Sequence, residues 1–222
     1  MSKSLLLLIA TVLVAPSSAI AGPYAGVGIG GTRTESSLAQ LNLVPNLASD
    51  TDVIGTDPNF ASTDVSFEFT VGWMFNEHFG VEVGYTDFGK AIENYELPEA
   101  CNTFGCQSRE WTAQMKMTGV QAFVVGSTPI GKTLDAYLKL GAIVWDANYS
   151  GFERNVAEVP GFPIGTRNDS VNYNDSGTNL AAGMGLNLKT DSPISVRAEL
   201  TYYDVDTTSL VWIAQLMAIY HF

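Results

Sequence analysis

The sequence carries little charge. Asp, Glu, Lys and Arg make up 15% of its 222 residues, against roughly 25% in an ordinary soluble domain, so a water-exposed surface would be hard to cover. Basic residues are scarcest, with 11 Lys and Arg against 23 Asp and Glu and a formal net charge of −12. Nucleic-acid-binding proteins present clustered positive charge, so the lack of any basic run argues against a nucleic-acid partner. With 46% hydrophobic residues, the chain still has ample material for a core.

Long apolar runs are also missing, apart from a short one at the N-terminus. Lys3 precedes an apolar run from Leu5 to Val14, and the small-residue triplet Ala19-Ile20-Ala21 follows. This three-part layout predicts a secretory signal peptide over residues 1–21 and a mature domain over residues 22–222. The alternative, a membrane anchor, is disfavoured because the run has about half of the roughly 20 residues that a spanning helix needs.

Cysteine and histidine are nearly absent, at two residues each. A secreted chain enters an oxidising compartment, so Cys101 and Cys106 are predicted to close a small loop through a disulfide. A two-thiol metal site is the competing interpretation, although neither histidine is near in sequence. No resident metal or cofactor is expected elsewhere.

Helical periodicity is missing too, and the mature chain alternates with period two instead. In the clearest segment, Val65, Phe67, Phe69 and Val71 share one face, while Ser66, Glu68 and Thr70 share the other. Such alternation is typical of β-strands with two different faces. The pattern predicts eight strands, near residues 24–33, 65–75, 80–86, 111–128, 134–147, 179–188, 194–203 and 209–222.

The predicted connections are alternately long and short. Long polar loops are expected over residues 34–64, 91–110 and 148–178, with short turns near Asn76 and Pro129. Antiparallel strands joined in chain order, with short turns at one end and long loops at the other, are typical of an outer-membrane barrel. The sequence therefore predicts an all-β fold, an eight-stranded antiparallel up-and-down transmembrane β-barrel.

Charge decides which strand face points outward. The apolar face has no mid-strand charge, whereas the polar face is mostly small residues with six scattered charges, a composition that suits a narrow lumen rather than a wet surface. We therefore predict an interior polar network of three acids and three bases. Its members are Glu68, Glu82, Lys116, Lys139, Arg197 and Glu199. Lys116 has an even number, so it faces inward only if the inward face of this strand changes from even-numbered to odd-numbered residues near Gly119. Such a change predicts a register shift there.

Several stretches resemble the transmembrane domain of the OmpA family. They are Gly80–Tyr85 (GVEVGY), Gly119 to Ile130, Thr133–Ala147 (TLDAYLKLGAIVWDA), Ser195–Leu200 (SVRAEL) and the terminal Tyr220-His221-Phe222. The resemblance implies an integral protein of the bacterial outer membrane, surrounded by lipid and lipopolysaccharide. It also implies that the barrel-assembly machinery reads the C-terminal aromatic signal formed by Tyr220 and Phe222. Since the chain stops at Phe222, the family's peptidoglycan-binding domain is not expected.

The family's interior ion pairs map onto Glu82, Arg197 and Lys139. Two positions depart from the family pattern, since Val125 replaces a Lys and Asn187 replaces a Glu. Lys116 and Glu68 are candidates to compensate for them.

Three classes of function follow from these observations. The preferred one is a non-enzymatic OmpA-type barrel, with a structural or surface-interaction role through acidic extracellular loops and a ligand that the sequence does not identify. The alternative is a narrow channel for ions or small solutes, gated by the interior ion pairs. A lipid-modifying enzyme is disfavoured, because His78 and His221 both belong to the short-turn end, away from an external substrate.

The sequence also contains two weaker motifs. Gly26 to Gly31 matches a dinucleotide fingerprint, but no helix follows, so the match is empty. The acidic loop residues Asp50, Asp52 and Asp57 suggest divalent cations that bridge to lipopolysaccharide phosphate, although the glutamate that closes a calcium loop is missing.

Overall fold

The computed structural model describes residues 22–37, 59–102, 105–158, 165–206 and 210–222. The predicted signal peptide and the residues Asp50, Asp52 and Asp57 lie outside these ranges. In the described chain, eight antiparallel strands form a closed barrel in sequence order, which confirms the predicted fold class. The strands are β1 (Pro23–Ser37), β2 (Asn59–Met74), β3 (Phe79–Asn102), β4 (Gly105–Pro129), β5 (Leu134–Glu158), β6 (Gly165–Leu188), β7 (Ile194–Tyr203) and β8 (Leu210–His221).

The barrel closes where the two ends of the chain meet. β1 pairs with β8 from Tyr24↔His221 to Glu35↔Leu210, and the Phe222 amide donates to the Pro23 carbonyl at 3.1 Å. Within the described ranges, no helix is long and apolar enough to cross a membrane.

The predicted band of outward apolar side chains is confirmed. Phe67, Phe69, Leu138 and Leu140 are each more than half exposed, although they are among the most apolar residues of the chain. A belt of exposed apolar side chains around a closed barrel is the surface that lipid covers. Short turns join β2 to β3, β4 to β5 and β6 to β7, which places that end of the barrel in the periplasm.

The predicted loop bounds are wrong. Residues 91–110 and 148–178 form mostly strand, because β3 and β4 extend to Asn102 and from Gly105, and β5 and β6 extend to Glu158 and from Gly165. β1 and β2 also run into the predicted loop over residues 34–64. The prediction ended each strand where its apolar alternation ended. Above the bilayer the outward face meets water, so polar residues there do not end the backbone pairing.

The four longest strands continue beyond their neighbours as a wall. β2 pairs with β3 only up to Phe67↔Asp87, and β7 pairs with β6 only up to Ala181↔Tyr203. Beyond those points the described residues of β3 to β6 pair among themselves. We call this part the extracellular wall: β3 from residue 88, β6 up to residue 180, and the segments of β4 and β5 between them.

A register shift does lie near Gly119, but the extra residue is on β3 and not on β4. Between Asp87↔Thr118 and Lys90↔Lys116, two residues of β3 face one residue of β4, which is a β-bulge. Gly89 sits there with a φ of +80°. Its amide donates to Asp87 Oδ1 at 2.9 Å, and the Lys90 amide donates to Asp64 Oδ2 at 2.5 Å.

The predicted disulfide stays a prediction. The β3–β4 register places Cys101 directly opposite Cys106. Opposed residues of antiparallel strands have Cα atoms about 4.5 to 5.5 Å apart, within the range that disulfides need.

Candidate functional site

Five of the six predicted network residues meet in the lumen. Glu68 on β2, Glu82 on β3, Lys139 on β5 and the β7 residues Arg197 and Glu199 are all buried. Period-two alternation points them inward, and neighbouring glycines provide their space. A Cβ on Gly183, which pairs with Lys139, would lie 2.7 Å from Lys139 Cε.

Lys139 is the centre of the network. Its Nζ contacts Glu199 Oε1 directly and lies 3.7 Å from Glu82 Oε1 and 3.9 Å from Glu68 Oε1. Arg197 Nη1 donates to Glu82 Oε2 at 2.7 Å and lies 4.0 Å from Glu199 Oε2. The two cations therefore hold the three carboxylates together, in a dry setting where a lone charge would be costly.

Neutral side chains complete the network, and sequence reasoning missed them. Tyr24 donates to Glu82 Oε2 at 2.8 Å and Tyr137 to Glu199 Oε2 at 2.5 Å. Gln215 donates to Glu68 Oε2 at 2.8 Å and Thr201 to Glu199 Oε1 at 2.7 Å. Each lies at an inward position of its strand, so the alternation that located the charges also contained these partners.

The prediction for Lys116 is wrong. Its side chain is 46% exposed on the outside of β4, 4.0 Å from Asp87 Oδ2. The residues of β4 that point inward are the odd-numbered ones along the whole strand, from Trp111 through Gly119 to Val125. The apolar pattern changes sides there because the surroundings change. Below this level the outside of the strand faces lipid, whereas above it the outside faces water and the inside faces core.

An apolar layer fills the lumen above the network. Its inward side chains include Phe88, Met115, Met117, Ile143, Trp145, Tyr203, Val211 and Ile213, all buried. Phe88 and Tyr203 meet edge to face with ring centroids 5.0 Å apart, and Trp145 Nε1 donates to Asn179 Oδ1 at 2.7 Å. The extracellular half of the interior is therefore a packed hydrophobic core, which we call the apolar plug.

Below the network, the lumen opens into a cavity of about 510 Å³ at the periplasmic end. We call it the vestibule. Arg197 lies at its inner limit, and both departures from the OmpA pattern, Val125 and Asn187, are among its lining residues. The loss of two long side chains is therefore accompanied by open space. Among the described residues, the network and then the plug close the inner side of the vestibule, which opens toward the periplasm.

Both histidines lie at the periplasmic end. His78 is in the β2–β3 turn, where its Nδ1 is 3.1 Å from the Ser127 carbonyl oxygen. His221 ends β8, and its Nε2 is 3.0 Å from Ser195 Oγ in the vestibule wall. Neither group is near the outer leaflet. Across the described ranges, no cluster of three or more His, Cys, Asp or Glu residues is placed to hold a metal.

The predicted assembly residues lie together at the end of β8. Tyr220 and Phe222 are both exposed, with ring centroids 5.0 Å apart in an edge-to-face arrangement. Their recognition by an assembly machinery stays a prediction.

A model of the outer membrane protein beta-barrel domain family matches residues 4–222. No curated relative matches the chain by sequence. Among solved structures, the attachment invasion locus protein Ail of Yersinia pestis is 18% identical, with 90% of this chain and 99% of that chain covered and a TM-score of 0.45. Neisserial surface protein A is 14% identical, with coverages of 90% and 96% and a TM-score of 0.44. The N-terminal barrel of OprF from Pseudomonas aeruginosa is 10% identical, with coverages of 89% and 97% and a TM-score of 0.37.

Proposed function

Because the chain belongs to the outer membrane β-barrel domain family and is an integral protein of the bacterial outer membrane, we propose that it is a non-enzymatic, non-conducting barrel whose role is exercised at the extracellular surface. The observation that carries the proposal is the double closure of the lumen, by the Lys139-centred network and by the apolar plug. The extracellular wall supplies the surface for contacts with other molecules. In the membrane, lipid and lipopolysaccharide surround the apolar belt, and the assembly machinery reads Tyr220 and Phe222.

The cost of ion passage supports this proposal. An ion moving through the barrel would have to separate Arg197 from Glu82, which are 2.7 Å apart, and then pass between the buried apolar side chains of the plug. Moving one charge into such a setting costs several kcal/mol even after the protein relaxes.

The rival function is a narrow channel gated by the ion pairs. The vestibule favours it, since the cavity reaches Arg197 from the periplasmic side. Opening would then require the apolar plug to part as well as the ion pairs. An enzyme acting on external lipid is disfavoured, because both histidines lie at the opposite end of the barrel.

Single-channel recording tests the proposal. The refolded mature protein should give a silent planar bilayer, and so should Lys116→Ala, which removes a charge outside the lumen. Arg197→Ala removes the cation at the inner end of the vestibule and should also stay silent, because the plug remains. Steady conductance in the wild type that Arg197→Ala changes and Lys116→Ala does not would establish the channel instead.

A further inference from the structure

The outside of the extracellular wall carries an uncharged, amide-rich surface. Two successive cross-strand rows on β3 to β6 form it, in the register given by the strand pairing. The lower row is Ile92, Gln114, Ser150 and Asn172, and the upper row is Asn94, Thr112, Phe152 and Ser170. None of the eight is charged, although the chain as a whole is strongly acidic. We call this surface the amide face.

Charged groups border the amide face on both sides. Below it, Lys90 lies opposite Lys116, and Asp87 and Asp146 follow one row nearer the membrane. Above it, Arg154 Nη1 pairs with Glu110 Oε2 at 3.4 Å. The two lysines and two aspartates below the face have no net charge together, so they do not make the surface a general anion site.

An aromatic ring lies open in the upper row. The Phe152 side chain is 44% exposed, between Thr112 on β4 and Ser170 on β6. Thr112 Oγ1 donates to Asn94 Oδ1 at 2.9 Å within the same row, so the Asn94 amide nitrogen is not used in that contact. An exposed phenyl ring among primary amides and hydroxyls combines an apolar platform with paired donors and acceptors.

These side chains match the chemistry of a sugar. Each hydroxyl of a saccharide both donates and accepts, as a primary amide does through its NH₂ and C=O groups. The C–H face of a pyranose ring is apolar and suits the negatively polarised face of an aromatic ring. A protein partner is a poorer match, because protein interfaces favour aromatic residues, Met and Arg and have little Ser.

The position of the amide face identifies the source of the sugar. The face continues the lipid-facing surface upward, since Tyr85, Val120 and Val144 form the last apolar row of the same strand faces. The amide rows lie six and eight residues further along β4, which at about 3.3 Å per residue and a tilt near 40° is roughly 15 to 20 Å higher. Because the headgroup region adds only about 5 to 8 Å to each side of the hydrocarbon core, that height is above the phosphate layer, at the level that the saccharides of the outer leaflet occupy.

We propose that the amide face binds the core saccharide of lipopolysaccharide, with Phe152 as the stacking platform and the amides of Asn94, Gln114 and Asn172 as hydroxyl partners. This inference rests on the proposed function and gives it a ligand class. It places the contact on the extracellular wall, whereas the sequence alone predicts surface interactions through acidic loops.

Saturation-transfer NMR tests the proposal with a defined probe, the core oligosaccharide freed of lipid A by mild acid hydrolysis. The refolded barrel should transfer saturation to the sugar, and Phe152→Ala should weaken binding about three- to tenfold, the effect of one lost aromatic contact. Phe152→Trp should retain binding. The matched control is Phe79→Ala, which removes an even more exposed phenyl group (59%) at the other end of the barrel.

A second variant guards against a folding defect. Gln114→Ala combined with Asn172→Ala removes two amides and leaves the aromatic ring. This double variant should also weaken the saccharide signal, while the unheated protein still migrates on a gel as a compact, folded barrel. Equal saturation transfer to the oligosaccharide from wild type, Phe152→Ala and the double variant would overturn the proposal. Transfer to separately added lipid A, with none to the core oligosaccharide, would also overturn it. A silent bilayer without saccharide binding refutes this inference and leaves the proposed function standing, whereas steady wild-type conductance refutes the proposed function itself.

Discussion

At the residue scale, one lysine organises the barrel interior. Lys139 is buried and is shared among Glu68, Glu82 and Glu199, with Glu199 as its nearest partner. The network holds three carboxylates and two cations, so the loss of either cation leaves three buried carboxylates with a single positive charge. Lys116, which sequence reasoning placed in the same network, instead contacts Asp87 on the exposed outside of β4.

Lys139→Ala should therefore destabilise the barrel by about 3 to 5 kcal/mol, the range for removing one partner of a buried ion pair. Lys116→Ala should change stability by no more than about 1 kcal/mol, as expected for an exposed pair. Urea unfolding in lipid vesicles, followed by tryptophan fluorescence, measures both variants. Equal effects of the two substitutions would contradict a network centred on Lys139.

At the element scale, one bulge lets β3 pass from barrel to wall. Before the bulge, the residues of β3 that point inward have even numbers, such as Glu82, Thr86 and Phe88. After the bulge they have odd numbers, beginning with Ala91. The bulge therefore keeps Phe88 and Ala91 both in the core, while β3 separates from β2.

Gly89→Ala should cost more than about 1 kcal/mol, because its φ of +80° is unfavourable for residues with a Cβ. The new Cβ would also lie 2.5 Å from the Val65 carbonyl oxygen. Gly131→Ala is the matched control, since a Cβ in that turn meets nothing within 4 Å. The same urea titration applies. A neutral Gly89→Ala would mean that the bulge tolerates a side chain and does not fix the register.

At the scale of the whole molecule, the interior has three levels: an open vestibule, a charged network and an apolar plug. Asn187 lines the vestibule, whereas Met117 lies in the plug and is fully buried. Solvent should therefore reach one end of the lumen and not the other.

Cysteine labelling measures this difference. In a background with both native cysteines changed to Ser, Asn187→Cys should react readily with a water-soluble thiol reagent. Met117→Cys should react more than about tenfold more slowly, since labelling there requires the plug to open. Similar labelling rates at the two positions would indicate a continuous aqueous path and would support the channel.

The sequence by itself determined the eight strands, their up-and-down order and five of the six network charges. Period-two alternation and scarce charge carry that information locally, and Glu68, Glu82, Lys139, Arg197 and Glu199 are unusual polar residues in otherwise apolar or small-residue strands. The tertiary structure decided where the membrane ends. An alternating strand has the same pattern whether its apolar face meets lipid or a core, so only the closed barrel shows that Met115 and Met117 face inward and Lys116 outward. The same ambiguity hid the long wall strands and the amide face, because their polar residues resemble those of loops until backbone pairing places them side by side.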